Sequence, residues 1–199
     1  MKRRLPARFH HDADLVAIGA SAGGIDALFH LLADLPAPYP LAVVTVLHLP
    51  EGRESSLAGV FSRRLEREVR EAQAHEPVEP GVFYFAPPGY HLLVDSDRTF
   101  SLSCDPPVLF SRPSIDVLLE SVADAYSDRA VALVLTGANT DGAHGLHRIK
   151  QAGGLALVQD PLEAPYPAMP HAAIAAANPD YVLPLAGLRS LLERLGSPA

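Results

Sequence analysis

Cys104 is the only cysteine among 199 residues, so no intrachain disulfide can form and no cysteine-based metal site exists. Lysine is almost as scarce. Lys2 and Lys150 are the only two, and neither sits where a phosphate-cradling Walker loop needs one. Positive charge is in short supply: 16 Lys and Arg stand against 23 Asp and Glu, a net charge of −7. That balance argues against a nucleic-acid binder, whose affinity rests on neutralising phosphates, and against a polybasic membrane anchor. Long apolar runs are missing too. Runs such as 41–47 and 131–135 are far below the ~20 residues of a spanning helix. The basic start (Lys2, Arg3, Arg4, Arg8) is like a secretion signal, but Phe9-His10-His11-Asp12-Ala13-Asp14 occupies the place of its apolar stretch. Residues 1–13 are therefore expected to be a frayed or disordered tail, and the protein to be cytoplasmic with no membrane insertion. No repeat, low-complexity segment or long linker divides the chain.

What remains is enough apolar residue, 48%, for one ordinary core, expected over residues 14–196. Short apolar runs at 14–20, 41–47, 131–136, 155–159 and 181–183 read as buried strands. Helical spacing marks 24–34, 55–68, 115–126, 143–152, 168–177 and 187–195. Ser114 can cap the third of these, with Asp116 favourable in its first turn, and Gly153-Gly154 ends the fourth. Between them, 82–86, 91–94 and 99–104 are short β-like runs, the last two resembling a hairpin. The expectation is an α/β fold: a doubly wound, mainly parallel sheet with helices on both faces and a small antiparallel hairpin at the edge.

Ligands in such sheets bind at the carboxyl ends of strands. The first strand runs into Gly19-Ala20-Ser21-Ala22-Gly23-Gly24, the second into His48-Leu49-Pro50, and 131–136 into Gly137-Ala138-Asn139-Thr140-Asp141-Gly142. A serine, a histidine and an aspartate thus meet one edge, the three roles of a hydrolase triad. Ser21 fits G-x-S-x-G between a strand and a helix, where small neighbours let the chain bend sharply. Such turns are as often structural as catalytic, a histidine after a strand is commonly a surface residue, and Asp141 could simply cap the following helix. The order Ser–His–Asp also differs from that of the α/β-hydrolase fold.

The chain resembles the catalytic domain of the chemotaxis receptor methylesterase family (protein-glutamate methylesterase, CheB). Seven segments in order carry the likeness: Ile18–Gly24 as IGASAGG, His48-Leu49-Pro50, Ala86-Pro87-Pro88-Gly89-Tyr90-His91, Arg112-Pro113-Ser114-Ile115-Asp116, Leu135-Thr136-Gly137 with Asp141-Gly142, Gln151-Ala152-Gly153-Gly154, and Met169-Pro170. The resemblance implies Ser21 as nucleophile, His48 as general base and Asp141 as the orienting acid. It implies backbone oxyanion donors at Ala22 and near Ala138, no metal and no organic cofactor. The implied activity is hydrolysis of glutamate methyl esters on the cytoplasmic helices of methyl-accepting chemoreceptors, releasing methanol, with deamidation of receptor glutamines as a second reaction. Departures from the family pattern are Ala22 where many relatives have threonine, Ala138 in place of a loop methionine, and His171 where an arginine usually follows Met-Pro. With some 13 residues ahead of its first strand, the chain as given lacks the receiver domain of the well-known members. Control would then fall to a separate regulatory protein, the enzyme would be constitutive, or the chain would be one domain of a longer polypeptide.

Rival readings are fewer. Asp141, His144 and His147 recur every third residue and could share a helix face as metal ligands, but three such steps drift around the helix. Cys104 lacks a nucleophile turn and is expected to be a buried structural cysteine. Arg63, Arg64, Arg67 and Arg70 form either a basic patch for an acidic partner or, slightly favoured, a solvated helix face. The fold alone also allows a serine esterase acting on another protein or a small ester, or a non-catalytic signalling module.

Overall fold

The computed structural model describes residues 9–48 and 57–196. Seven parallel strands form the central sheet in the order β3-β4-β2-β1-β7-β8-β9. They are β1 (Leu15–Ala20), β2 (Ala42–Leu47), β3 (Val69–Glu71), β4 (Phe83–Phe85), β7 (Ala130–Val134), β8 (Leu155–Gln159) and β9 (Tyr181–Leu183). Every residue of β1, β2, β7 and β8 is buried, which is why these runs are apolar apart from Thr45 and Gln159 and do not alternate. Alternate residues of β1 still serve different layers. Leu15 and Ala17 face one apolar cluster with Ile115, Leu118, Leu119 and Val122, whereas Val16 and Ile18 face a second with Leu28, Leu31, Phe61 and Leu188. The first layer is built from α3 (Ile115–Tyr126), α4 (Ala143–Gln151) and α5 (Ala168–Ala177), the second from α1 (Gly24–Leu32), α2 (Leu57–Leu65) and α6 (Leu185–Leu195).

The antiparallel hairpin is β5 (His91–Val94) with β6 (Phe100–Ser103), a two-stranded sheet of its own. It lies against α3, where Ser121 Oγ accepts the Val94 N–H at 3.0 Å. Ser114 does cap α3, its hydroxyl accepting from Val117 N at 3.4 Å.

Several expectations are corrected. α2 ends at Leu65, short of residue 68, because Glu66 takes a left-handed φ of 52° and the chain turns back into β3. Ser55 and Ser56, and likewise Leu49 and Pro50, lie outside the described residues. β3 had no expectation, since Val-Arg-Glu has no apolar run; it is an edge strand paired with β4 alone. The last helix starts two residues earlier than expected, immediately after Pro184. Cys104 is exposed: it leaves β6 beyond the hairpin and reaches no core cluster. Within the expected tail, residues 9–13 carry no regular structure, yet Phe9 sets its ring edge-on to Tyr181 with centroids 6.0 Å apart.

Candidate active site

Sheet register brings the candidate residues together. Ala20, the last residue of β1, pairs with Leu47, the last of β2, so Ser21 and His48 leave adjacent strands side by side. The His48 N–H donates to Ala20 O at 3.0 Å. On the other flank, β7 pairs with β1, and Ser21 N–H donates to Thr136 O at 3.0 Å. The loop carrying Asp141 therefore starts next to the serine turn. The strand order runs outward in both directions from β1 and β7, making this edge the topological switch point of the sheet.

The serine turn is built on close packing. Gly23 has a φ of +76°, and a Cβ on Gly24 would lie 2.6 Å from Leu47 Cδ1. Thr136 clamps the turn from β7: its hydroxyl donates to Ala22 O at 3.0 Å and accepts from Tyr166 N at 3.0 Å. Most backbone N–H groups nearby are taken. Gly24 N donates to Ser21 O at 2.8 Å and Gly137 N to Tyr166 O at 2.9 Å, whereas the N–H groups of Ala22 and Ala138 have no hydrogen-bond partner among the described residues. Met169 Sδ occupies the place of a side chain on Gly137, where a Cβ would fall 1.9 Å away.

Asp141 is fully buried. One carboxylate oxygen, Oδ2, accepts from His48 Nε2 at 2.9 Å and Ile115 N at 2.7 Å. The other, Oδ1, accepts from Ser114 Oγ at 2.9 Å, Asp116 N at 2.9 Å and Gly142 N at 3.0 Å. Burial by itself raises a carboxyl group, but the hydrogen bonds from His48, Asp116 and Ile115 outweigh it and hold Asp141 below the usual carboxylate range. An ionised Asp141 fixes the His48 tautomer: Nε2 carries the proton and Nδ1 is the free base nitrogen. No hydrogen bond joins the Ser21 hydroxyl to His48 among the described residues.

Ser114 and Asp116, legible in the sequence as the cap and first-turn acid of α3, also meet the Asp141 carboxylate. The Ser114 N–H donates to His91 Nδ1 at 3.1 Å. His91 is buried, and its Nε2 donates to Pro106 O at 3.2 Å, so the ring ties the start of α3 to the loop after β6. Asp116 is a second buried carboxyl, bonded by Gly145 N at 2.7 Å. Burial and the nearby Asp141 charge push it up to about 6. It lines a cavity of about 300 Å³ with Leu109, Thr140, His144 and His147.

The remaining candidates separate. His144 turns to Glu120 at 2.6 Å while Asp141 faces His48, so Asp141, His144 and His147 do not converge. No group of three ligands suited to a metal occurs among the described residues. Of the four arginines, Arg67 donates to Leu35 O at 2.7 Å and stacks over Phe83, Arg70 pairs with Glu68 and Glu76, and Arg64 lies 3.9 Å over the Phe29 ring. Only Arg63 and Arg64 lie on α2, with Arg67 in the following turn and Arg70 on β3, and these contacts brace the run rather than leave an open patch.

A doubly wound α/β protein with serine, histidine and aspartate at its switch point defines the class. Residues 16–192 match the family model described as CheB methylesterase, and the chain belongs to that family. It is 43% identical over 182 residues to a putative protein-glutamate methylesterase/protein-glutamine glutaminase of Leptospira interrogans, covering 92% of this chain and 94% of that one. A protein-glutamate methylesterase/protein-glutamine glutaminase of Symbiobacterium thermophilum is 37% identical over 191 residues; there the match covers 96% of this chain and 51% of the relative. The crystal structure of the Thermotoga maritima CheB methylesterase catalytic domain superposes with a TM-score of 0.86 at 32% identity, covering 92% of this chain and 99% of that one. No helix among the described residues is long and apolar enough to cross a membrane.

Proposed function

We propose that the protein hydrolyses glutamate methyl esters on the cytoplasmic helices of chemoreceptors, with Ser21, His48 and Asp141 as a catalytic triad. The observation that carries the reading is the 2.9 Å bond between His48 Nε2 and a fully buried Asp141, one strand away from a serine in a strand-to-helix turn. Family membership supplies the ester class.

The chemistry follows from that arrangement. His48 Nδ1 removes the Ser21 proton as Oγ attacks the ester carbonyl, and Asp141 stabilises the imidazolium through Nε2–H. The serine–histidine contact is one that tightens when substrate binds. The tetrahedral oxyanion turns to the free N–H groups of Ala22 and Ala138. Methanol departs with the proton from His48, leaving the glutamyl group esterified to Ser21. Water, deprotonated by His48, then releases the glutamate carboxylate and regenerates the serine. A receptor glutamine follows the same path with ammonia as the leaving group. The mechanism asks for no metal or organic cofactor, because each proton has a donor and acceptor among these side chains.

The test is mass spectrometry of a receptor cytoplasmic fragment, premethylated by its methyltransferase, after incubation with the protein. The reading expects each methylated glutamate to return to the free acid, and no change with Ser21→Ala. A folded wild type that leaves the receptor esters intact while cleaving small esters would instead make it an esterase of different specificity.

A further inference from the structure

The loop before α3 contains a feature that catalysis by the triad does not use. Val108 and Ser111 form an antiparallel bridge, closed by Val108 N–H to Ser111 O at 3.1 Å and Ser111 N–H to Val108 O at 2.8 Å. The two residues between them, Leu109 and Phe110, both have positive φ, 49° and 64°. A two-residue hairpin of this kind strongly prefers Asn-Gly or Asp-Gly, because the left-handed region crowds any larger side chain. Here it holds two large apolar residues. The Phe110 side chain is fully exposed, at 100%. The finger has a braced base: Arg112 Nη1 donates to Cys104 O at 2.9 Å and to Asp105 O at 3.2 Å.

Its position ties it to the active site. Leu109 lines the cavity shared with Asp116 and Thr140, the residue before Asp141. Ser114, four residues past Phe110, bonds the Asp141 carboxylate. A strained turn that exposes an aromatic ring sacrifices local stability for no internal contact, a pattern found where a surface engages a partner.

We propose that Leu109-Phe110 is a docking finger for the protein substrate, with the Phe110 ring entering the apolar seam between helices of the receptor segment that bears the ester. This rests on the receptor-esterase reading. Charge supports an apolar anchor. The enzyme carries −7, Arg67 and Arg70 are engaged internally, and each turnover adds a carboxylate to the substrate. Long-range attraction therefore contributes little to affinity, and a buried aromatic anchor is the contact that supplies it.

The experiment compares Phe110→Gly and Phe110→Trp with wild type on two substrates: a premethylated receptor fragment and p-nitrophenyl acetate. Glycine suits the positive φ, and no buried contact is lost, so Tm should hold or rise. The expected result for Phe110→Gly is a KM for the receptor fragment raised about tenfold or more, unchanged p-nitrophenyl acetate hydrolysis, and near-normal receptor kinetics for Phe110→Trp. Unchanged receptor KM in Phe110→Gly overturns the proposal. So does an equal loss on both substrates, which would make the finger part of the site's framework. A wild type that cleaves p-nitrophenyl acetate, with Ser21→Ala silent, but never demethylates the receptor fragment overturns the receptor reading and the docking proposal with it.

Discussion

Asp141 gathers five hydrogen-bond donors, one of them the imidazole of His48 and three of them backbone N–H groups. Such a shell favours the anion, and the sign of its effect is definite. A carboxyl held below its ordinary value of 3.8 contributes stability above that pH, and loses it as pH falls through the lowered value. Asp141→Asn places an amide among donors, so kcat for ester hydrolysis should fall by roughly 10⁴, the scale seen when a triad aspartate is neutralised elsewhere. Asp116 has the opposite sign. Raised to about 6, it keeps a proton in the folded state that the unfolded chain releases above about 4, so its ionisation costs stability as pH rises through that window. Asp116→Asn should therefore raise Tm by several degrees at pH 7 and lose that advantage near pH 4, read by thermal unfolding at both values. Ser114 separates capping from positioning. Ser114→Thr and Ser114→Val share a shape and differ in the hydroxyl, so kcat of the valine variant should be about tenfold below that of the threonine variant. Equal kcat in the two would reduce Ser114 to a cap for α3.

At the scale of elements, α3 is the part that matters most to the candidate site, because its first turn delivers Ile115 N and Asp116 N to the Asp141 carboxylate. Its placement depends on glycine. A Cβ on Gly19 would fall 2.3 Å from Ile115 Cγ2, and Gly142, with φ +90°, meets the same atom at 2.7 Å. Gly19→Ala should push α3 off β1, costing about 1–3 kcal/mol in denaturant unfolding and lowering kcat with it. A stable, fully active Gly19→Ala would show that α3 is free to shift. The sequence was most legible where punctuation is strong: Ser114 opens α3, Gly153-Gly154 stops the chain before β8, and both β8 and β9 keep their expected bounds. It was least legible at β3, whose Arg70 and Glu71 hide a strand defined only by its partner β4. Legibility also failed at α2, where the turn at Glu66 has no glycine to announce it.

Across the whole molecule, one decision places the site: strands run out from β1 toward β2 on one side and β7 on the other. That reversal brings residues 21, 48 and 141 to one edge of the sheet and joins His48 to Asp141, which lie 93 positions apart. The placement of Ser21, His48 and Asp141 at one edge was legible because each follows an apolar run, and the alternation of strands and helices implied a shared edge. The support behind them was not. That Ser114 bonds a carboxylate, that Thr136 clamps the serine turn, and that Leu109-Phe110 sits in a strained hairpin are all facts of tertiary contact, with no periodicity or spacing to mark them.

If Ser21, His48 and Asp141 act as one unit, the losses from substituting them are non-additive. Methanol release from a premethylated receptor fragment would be measured for Ser21→Ala, His48→Ala and the double variant, each shown to be folded. The double variant is expected to lose no more activity than either single one, since removing either member already disables the unit. Losses that multiply in the double variant would mean that the two residues contribute separately, and would contradict the triad.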